Sequence, residues 1–253
     1  MVRKVWRVTV SPMGGPLEEG AEARADTGEL GSSPSLKTAA ADSIPSEVWE
    51  RRLDTPYCRY VKPTLDRMIG LALAFITLPI AVVAGVFIRS TMRQPAIYRQ
   101  ERVGKDGAVF TVYKLQTMVP DRRQNVVAFE GTERRVAHKT PDDPRVTGVG
   151  RFLRKWSIDE LPQFWNVVKG DMSLVGPRPE LVTVVSDYQN WQHHRHLVRP
   201  GVTGIWQVSE RGDTPMHEAT HLDLVYLERV SLRTDFSILL RTIPAALGMR
   251  SGY

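Results

Sequence analysis

Asp159 and Glu160 are adjacent carboxylates in the run Ser157-Ile158-Asp159-Glu160-Leu161-Pro162-Gln163-Phe164, and a rigid Gly176-Pro177-Arg178-Pro179 segment follows shortly after. An ionised carboxylate can attack phosphorus and form an acyl phosphate. A neighbouring carboxylate can hold Mg²⁺, a hard ion that prefers oxygen ligands and substrate phosphates. The guanidinium fork of Arg178 suits phosphate, and two prolines fix where it points. Val198-Arg199-Pro200-Gly201-Val202-Thr203-Gly204 is a second stiff turn carrying a cation, and Lys114 and Arg154 add positive charge.

The same residues also have a purely structural reading. Ser157 would be a helix N-cap and Glu160, three residues on, would close a capping box. Pro162 fits that poorly, because beyond the first helical turn it removes a hydrogen bond. A helix starting at Ser157 would favour an ionised Asp159 and draw in a phosphate through its unpaired amides. Arg178, Arg199, Lys114 and Arg154 would each, alone, be ordinary surface charges.

A competing motif is His217-Glu218-Ala219-Thr220-His221, which matches the HExxH zinc-protease pattern. The extended pattern is missing, and Asp223 and Glu228 are the acids that follow the motif and could complete a ligand set. His193-His194-Arg195-His196 lacks partners at defined spacing and reads as a solvated run. There is no P-loop and no Gly-rich dinucleotide fingerprint.

The elements that must position these groups begin with Met68 to Ile88, 21 residues without a charge. As a helix the run reaches ~31 Å, about one bilayer core. Pro79 sits at its midpoint and favours a bend. The flanks are equally basic: Arg51, Arg52, Arg59, Lys62 and Arg67 before it, Arg89, Arg93, Arg99, Arg102 and Lys105 after it. A single crossing would leave one basic flank on the wrong side, whereas a helix that enters, bends and returns keeps both on the cytoplasmic face.

Residues 97–103 and 108–114 are rich in β-formers and flank Gly104-Lys105-Asp106-Gly107, so a hairpin is expected. Residues 119–148 are polar and read as a loop. Helix is expected from Ser157, with Leu161, Trp165, Val168 and Met172 as its apolar stripe. Phe236, Leu239, Leu240, Ile243 and Leu247 form a second stripe, which either packs on a core or lies along a lipid interface.

The 253 residues carry a net charge of +6 and a pI near 9.6, which suits anionic partners: nucleic acid, acidic lipid or phosphorylated substrate. The single cysteine, Cys58, rules out an internal disulfide. Residues 11–46 are poor in large apolar side chains and are expected to be a disordered tail. No apolar run follows the first charges, so no secretory signal is expected. The expected organisation is a variable tail over 1–55, a membrane anchor over 56–95 kinked at Pro79, and a catalytic domain over 96–253. The expected class is α+β: mainly helical and membrane-associated, with a small β-hairpin, a re-entrant helix and interfacial amphipathic helices.

From about Lys62 to Tyr253 the chain resembles the bacterial sugar transferases, the monotopic polyprenol-phosphate phosphoglycosyl transferases. The resemblance rests on ordered motifs: Tyr98 to Gly104, Tyr113 to Met118, Asp143 to Thr147, Arg151 to Lys155, Ser157 to Gln163, Lys169 to Pro179 and Arg199 to Val208. It implies transfer of a sugar-1-phosphate from a UDP-sugar to undecaprenyl phosphate, with release of UMP and a covalent phosphosugar on Asp159. It further implies Mg²⁺ at Glu160, and a phosphate and nucleotide site lined by Lys114, Arg154, Pro177, Arg178 and Arg199. The expected setting is the cytoplasmic face of a bacterial inner membrane, serving exopolysaccharide or another glycoconjugate. No nucleic-acid partner is expected, and a homodimer is left open. The family's re-entrant helix breaks at a Ser-Pro pair; here the pair is Leu78-Pro79, preceded by Thr77. A zinc protease and a non-catalytic basic membrane scaffold remain the rival expectations.

Overall fold

The computed structural model describes residues 46–119, 145–209 and 219–246. Helix α1 (Ser46–Leu53) leads through a π-helical turn (Tyr57–Val61) into α2 (Lys62–Met92). α1 falls within the 1–55 stretch and buries Trp49 in the core; residues 1–45 lie outside the described residues. The long apolar run lies within α2, which continues as helix through Pro79. The Thr77 hydroxyl, two residues before that proline, donates to the Leu73 carbonyl at 2.7 Å.

α2 is solvent-exposed along its middle but fastened at both ends. Met68, Phe75, Ile76, Val83 and Val86 are all more than 60% exposed. Near the start, Gly70 lies so close to α4 (Gln163–Lys169) that an added Cβ would sit 2.8 Å from Val167. Near the end, Ile88 and Met92 are buried against Leu115 and Leu153. The first turn is tied down by charge. Lys62 Nζ donates to Asp235 at 2.6 Å and to the Val175 carbonyl at 3.0 Å. Tyr57 and Tyr226 hydroxyls donate to Asp235 at 2.7 and 2.8 Å. One turn on, buried Asp66 accepts from Ser173 Oγ at 2.6 Å and Leu174 N at 3.2 Å. Each acid in this network has several donors, the condition under which buried charge is tolerated.

The expected hairpin forms. β1 (Ile97–Val103) pairs antiparallel with β2 (Val109–Leu115), Ile97 opposite Leu115 and Val103 opposite Val109. Asp106 and Gly107 turn the chain with φ of 55° and 76°, the positive dihedrals that an Asp-Gly pair tolerates in tight hairpins. A third strand, the two-residue β4 (Glu180–Leu181), adds to the free edge of β1. β3 (Ser173–Val175) and β5 (Gly201–Thr203) form a separate parallel pair. Helices α3 (Gly148–Lys155), α5 (Val182–Val185), α6 (Ile205–Ser209), α7 (Thr220–Arg229) and α8 (Leu232–Ala246), with a 3₁₀ stretch (Asn190–Leu197), complete the described fold. Mostly helix with a small sheet and one long apolar helix, it matches the coarse α+β expectation.

Three local expectations differ from the structure. Helix does not begin at Ser157: a 3₁₀ turn (Ile158–Glu160) comes first, and Pro162 is the N-cap of α4. Pro162 thus stands where a missing amide proton costs nothing. The Trp165 stripe is not the buried one. Gln163, Asn166 and Val167 face the core, while Trp165 is exposed and Met172 packs in the core beyond the helix. Asn166 stitches α4 to β2, donating to the Thr111 carbonyl at 2.7 Å and accepting from Tyr113 N at 3.1 Å. On α8, Phe236, Leu240 and Ile243 point outward, while Asp235 and Ile238 face inward and Thr242 bonds Thr203. Of that stripe, Leu239 packs against the core, Phe236, Leu240 and Ile243 are left exposed, and Leu247 lies outside the described residues.

Candidate active site

α3 delivers the chain to the carboxylates. Thr147 caps it, accepting from Gly150 N at 2.9 Å. After Lys155 the backbone reverses hand at Ser157, whose φ of 53° is rare for a residue with a Cβ and costs about 1–2 kcal/mol. The Ser157 side chain makes no cap bond. The capping box is therefore not built, and Glu160 is free to face other partners.

Those partners are cations. Glu160 Oε1 accepts from Lys114 Nζ at 2.9 Å and from an Arg178 amino group at 2.6 Å. Lys114 comes from β2, Arg178 from the loop between β3 and β4, and Glu160 from the 3₁₀ turn, so three elements converge. Arg154, on the last turn of α3, donates Nε to Thr117 Oγ1 at 2.9 Å. Lys114, Arg154 and Arg178 all act on Asp159.

The two carboxyls are driven apart. Burial pushes Asp159 up, the adjacent Glu160 charge pushes it further, and three cations pull back, leaving it at about 6. Burial would raise Glu160 too, but Arg178 and Lys114 override it and hold its carboxyl well below the usual range. Lys114 is lowered by burial, against the opposing pull of Glu160. One carboxylate is thus locked into ion pairs and the other is less tightly held, the division expected when one acid organises and the other reacts.

Backbone packing aims Arg178. An added Cβ at Gly176 would lie 2.5 Å from the Arg199 carbonyl; one at Gly201 would lie 2.1 Å from Gly176 N; one at Gly204 would lie 2.2 Å from the Gly176 carbonyl. The Gly-Pro-Arg-Pro and Arg-Pro-Gly-Val-Thr-Gly turns therefore touch main chain to main chain. Gly201 N donates to the Pro177 carbonyl at 2.8 Å, and Gly176 N to Thr203 O at 2.9 Å. Pro177 contributes this backbone bond, and its ring is buried.

A buried arginine completes the support. Arg195, 2% exposed, donates to the Arg178 carbonyl at 2.7 Å, to Asp223 Oδ2 at 2.8 Å and to the Tyr188 hydroxyl. Asp223 is raised to about 6 by burial despite the Arg195 charge. The expected solvated His-His-Arg-His run is thus half wrong: Arg195 and His196 are buried. Its signal in the sequence was only the unusual density of basic side chains.

The structure does not bring Arg199 to this cluster. Its Nε donates to the Gly170 carbonyl at 2.8 Å, and it lines a separate cavity of about 380 Å³ with Lys62, Asp66 and Cys58. His217 and Glu218 lie outside the described residues; His221 is exposed, and Asp223 is committed to Arg195. No group of three metal-binding side chains occurs among the described residues. Mg²⁺ often takes only one or two protein carboxylates and completes its shell with phosphate and water. Glu160 fits that role through Oε2, since both cations sit on Oε1.

Comparison with known proteins gives a consistent result. Residues 57–249 match the bacterial sugar transferase model. A galactosyl transferase of Streptococcus agalactiae is 38% identical over 197 residues, covering 76% of this chain and 44% of the relative. An undecaprenyl-phosphate galactose phosphotransferase of Salmonella typhimurium is 35% identical over 201 residues, covering 77% and 42%. A UDP-glucose:undecaprenyl-phosphate glucose-1-phosphate transferase of Caulobacter vibrioides is 39% identical over 201 residues, covering 76% and 72%. The chain thus spans less than half the length of the first two. With 193 of its residues inside the family match, the chain belongs to the bacterial sugar transferase family.

Proposed function

We propose that this protein transfers a sugar-1-phosphate from a UDP-sugar to undecaprenyl phosphate, through a covalent phosphosugar on Asp159. The observation that carries this is the split pair: Glu160 fixed by Lys114 and Arg178, Asp159 beside it at about 6 and still mostly ionised near pH 7. The names of the relatives agree in substrate class.

In the first half-reaction an Asp159 carboxylate oxygen attacks the phosphorus that bears the sugar. A bond from that phosphorus to the bridging oxygen breaks, and UMP leaves with the electron pair. In the second, an oxygen of the lipid phosphate attacks the same phosphorus, the bond to Asp159 breaks, and the carboxylate is regenerated. Lys114, Arg154 and Arg178 offset the charge that develops on the phosphoryl oxygens. Mg²⁺ held by Glu160 would supply further positive charge to the diphosphate. Departure of UMP before the lipid arrives lets one cationic site serve both anions.

The proposed setting is the cytoplasmic face of a bacterial inner membrane, with α2 re-entrant. Support comes from α2 being fastened to one globular unit at both ends, through Lys62 and Asp66 at the start and Ile88 and Met92 at the finish. Both ends of α2 thus lie on the side of that unit, with the basic flanks together, whereas a single crossing would carry one flank to the far side of the bilayer. Exposed Phe236, Leu240 and Ile243 add an interfacial surface.

The test is release of UMP from a panel of UDP-sugars with Mg²⁺, with and without undecaprenyl phosphate. Asp159→Asn should abolish both turnover and the protein-bound phosphosugar; normal rates in that variant would refute the nucleophile assignment. Single cysteines at Tyr60 and Arg93, with Cys58 replaced, should label from the same membrane face, and opposite-face labelling would end the re-entrant proposal.

A further inference from the structure

Pro177 and Pro179 remove the amide protons on both sides of Arg178, so the loop that carries this residue is held chiefly through its carbonyls. The carbonyls of Pro177, Arg178 and Pro179 are all taken, each by a donor from a different element. Gly201 N, on β5, donates to the Pro177 carbonyl at 2.8 Å. Arg195, on the 3₁₀ stretch, donates to the Arg178 carbonyl at 2.7 Å. Arg102, on β1, donates to the Pro179 carbonyl at 3.2 Å.

Arg102 is itself held. One of its amino groups donates to Gln100 Oε1 at 2.6 Å, and Glu180 Oε1 lies 3.6 Å from the other. Glu180 is 1% exposed and also accepts from Leu181 N at 2.9 Å. Its charge acts on Arg195 and Asp223 as well. Two acid–arginine pairs thus stand behind the loop: Asp223 with Arg195 for the Arg178 carbonyl, and Glu180 with Arg102 for the Pro179 carbonyl. Short β4 places the second pair, with Val103 opposite Glu180 and Arg102 opposite Leu181. A guanidinium that has its own buried carboxylate is a stiff donor, because moving it would strip that charge of its partner.

The hairpin links this brace to the carboxylates. Arg102 lies opposite Phe110, and Tyr98 opposite Lys114. Residues four apart on a strand share a face, so Arg102 and Lys114 project from the same face of the hairpin, about 14 Å apart along it. From one end of that face Lys114 donates to Glu160 Oε1. From the other end Arg102 holds the backbone beside Arg178, the second donor to the same oxygen. We propose that Arg102 is a positioning residue of the phosphate grip, an inference that rests on the transferase reading. Through the Pro179 carbonyl it fixes the Arg178 fork relative to Lys114, so that one hairpin sets both cations on Glu160. Without it the loop keeps its bonds to Gly201 and Arg195 and can pivot about them. Arg178 then drifts from the place where it offsets charge on the phosphoryl oxygens.

The experiment uses the full-length protein in lipid nanodiscs and follows the burst of UMP with UDP-sugar in excess and no lipid acceptor. The burst amplitude counts folded, competent molecules, and its rate constant reports the geometry of the site. Arg102→Met should keep the amplitude and lower the rate constant by about 10- to 100-fold, the scale of a displaced positioning group. Arg102→Lys, which keeps a cation for Glu180 and a donor for the carbonyl, should recover most of that rate. In an Arg178→Lys background, Arg102→Met should cost no more than about twofold further, because residues that act as a unit are not additive. If Arg102→Met folds poorly, adding Glu180→Gln removes the unpaired charge and keeps the acceptor for Leu181 N, and the same two quantities are read. An unchanged rate constant, with or without a fall in amplitude, overturns the proposal, since Arg102 would then at most hold the fold. A full multiplicative loss in the Arg178→Lys background overturns it too, since the effect would not pass through Arg178. Both results leave the transferase reading standing. Absence of any burst from the wild type with every UDP-sugar tried overturns that reading and the positioning role with it.

Discussion

Replacing Arg195 with methionine removes a buried cation while keeping the length of the side chain. Asp223, 5% exposed, then loses its ion-pair partner, and the Arg178 carbonyl and Tyr188 hydroxyl each lose a donor. Breaking one side of a buried pair costs about 3–5 kcal/mol. In a domain of this size that lowers the unfolding midpoint by roughly 10 °C. The deficit should shrink below about pH 6. Asp223 already sits near that value because of burial, and without Arg195 it rises further, so a neutral acid is left where a bare charge would stand. Arg195→Met with Asp223→Leu removes both charges and should recover most of the stability. It cannot restore the bond to the Arg178 carbonyl. Transfer by the double variant should stay down by about 10- to 100-fold, the scale of loss when a phosphate-gripping group shifts by an ångström. Tryptophan fluorescence against temperature reports the first quantity and UMP release the second. A double variant that is stable and transfers at the wild-type rate would refute the claim that Arg195 positions Arg178. A single variant that loses less than about 1 kcal/mol would refute the closed ion pair.

Three further outcomes are expected. Gly201→Ala should fold poorly and lose activity, because its Cβ would lie 2.1 Å from Gly176 N and 2.4 Å from Thr203 O; Gly148→Ala, with nothing within 4 Å, should be silent in yield and midpoint. His196 is lowered to about 4 by burial first and by Arg195 and His193 next, so the unfolded chain binds its proton more readily than the folded one. Its contribution is therefore present above the unfolded value near 6.5 and is lost as pH falls toward 4, by up to about 3 kcal/mol. Asp159 and Asp223, raised toward 6, act in the opposite sense, so the measurement is the difference in midpoint between wild type and His196→Gln across that window. Finally, an environment-sensitive dye at Leu240 should report an apolar setting in vesicles and at Arg241 an aqueous one; equal spectra would remove α8 from the interface.

How much of this was readable beforehand depended on range. The hairpin was legible because β-formers and an Asp-Gly turn are local signals, and β1 ends where they indicate. The apolar helix was legible from length alone. The membership of Lys114, Arg154, Arg178 and Glu160 in one site followed from motif resemblance, and their convergence is seen only in the fold. What failed was decided at a distance. Ser157 has cap chemistry, but Lys114 and Arg178 take the Glu160 carboxylate that a capping box needs. Trp165 has the right spacing for a core face, yet Asn166 faces inward because two strand groups of β2 need its amide. Arg195 could not be told from its neighbours until Asp223, 28 positions on, came to meet it.

The double fastening of α2 has a consequence for the bilayer. A spanning helix with one free end adjusts to a thicker or thinner membrane by tilting, and so drifts relative to its lipid surroundings. A helix pinned at Lys62 and again at Met92 has no such freedom. In the proposed re-entrant setting, hydrophobic mismatch would then fall on the lipid, which would thin or pucker around the helix. The height of Asp159 above the acyl chains would be a property of the protein, the same in membranes of different thickness.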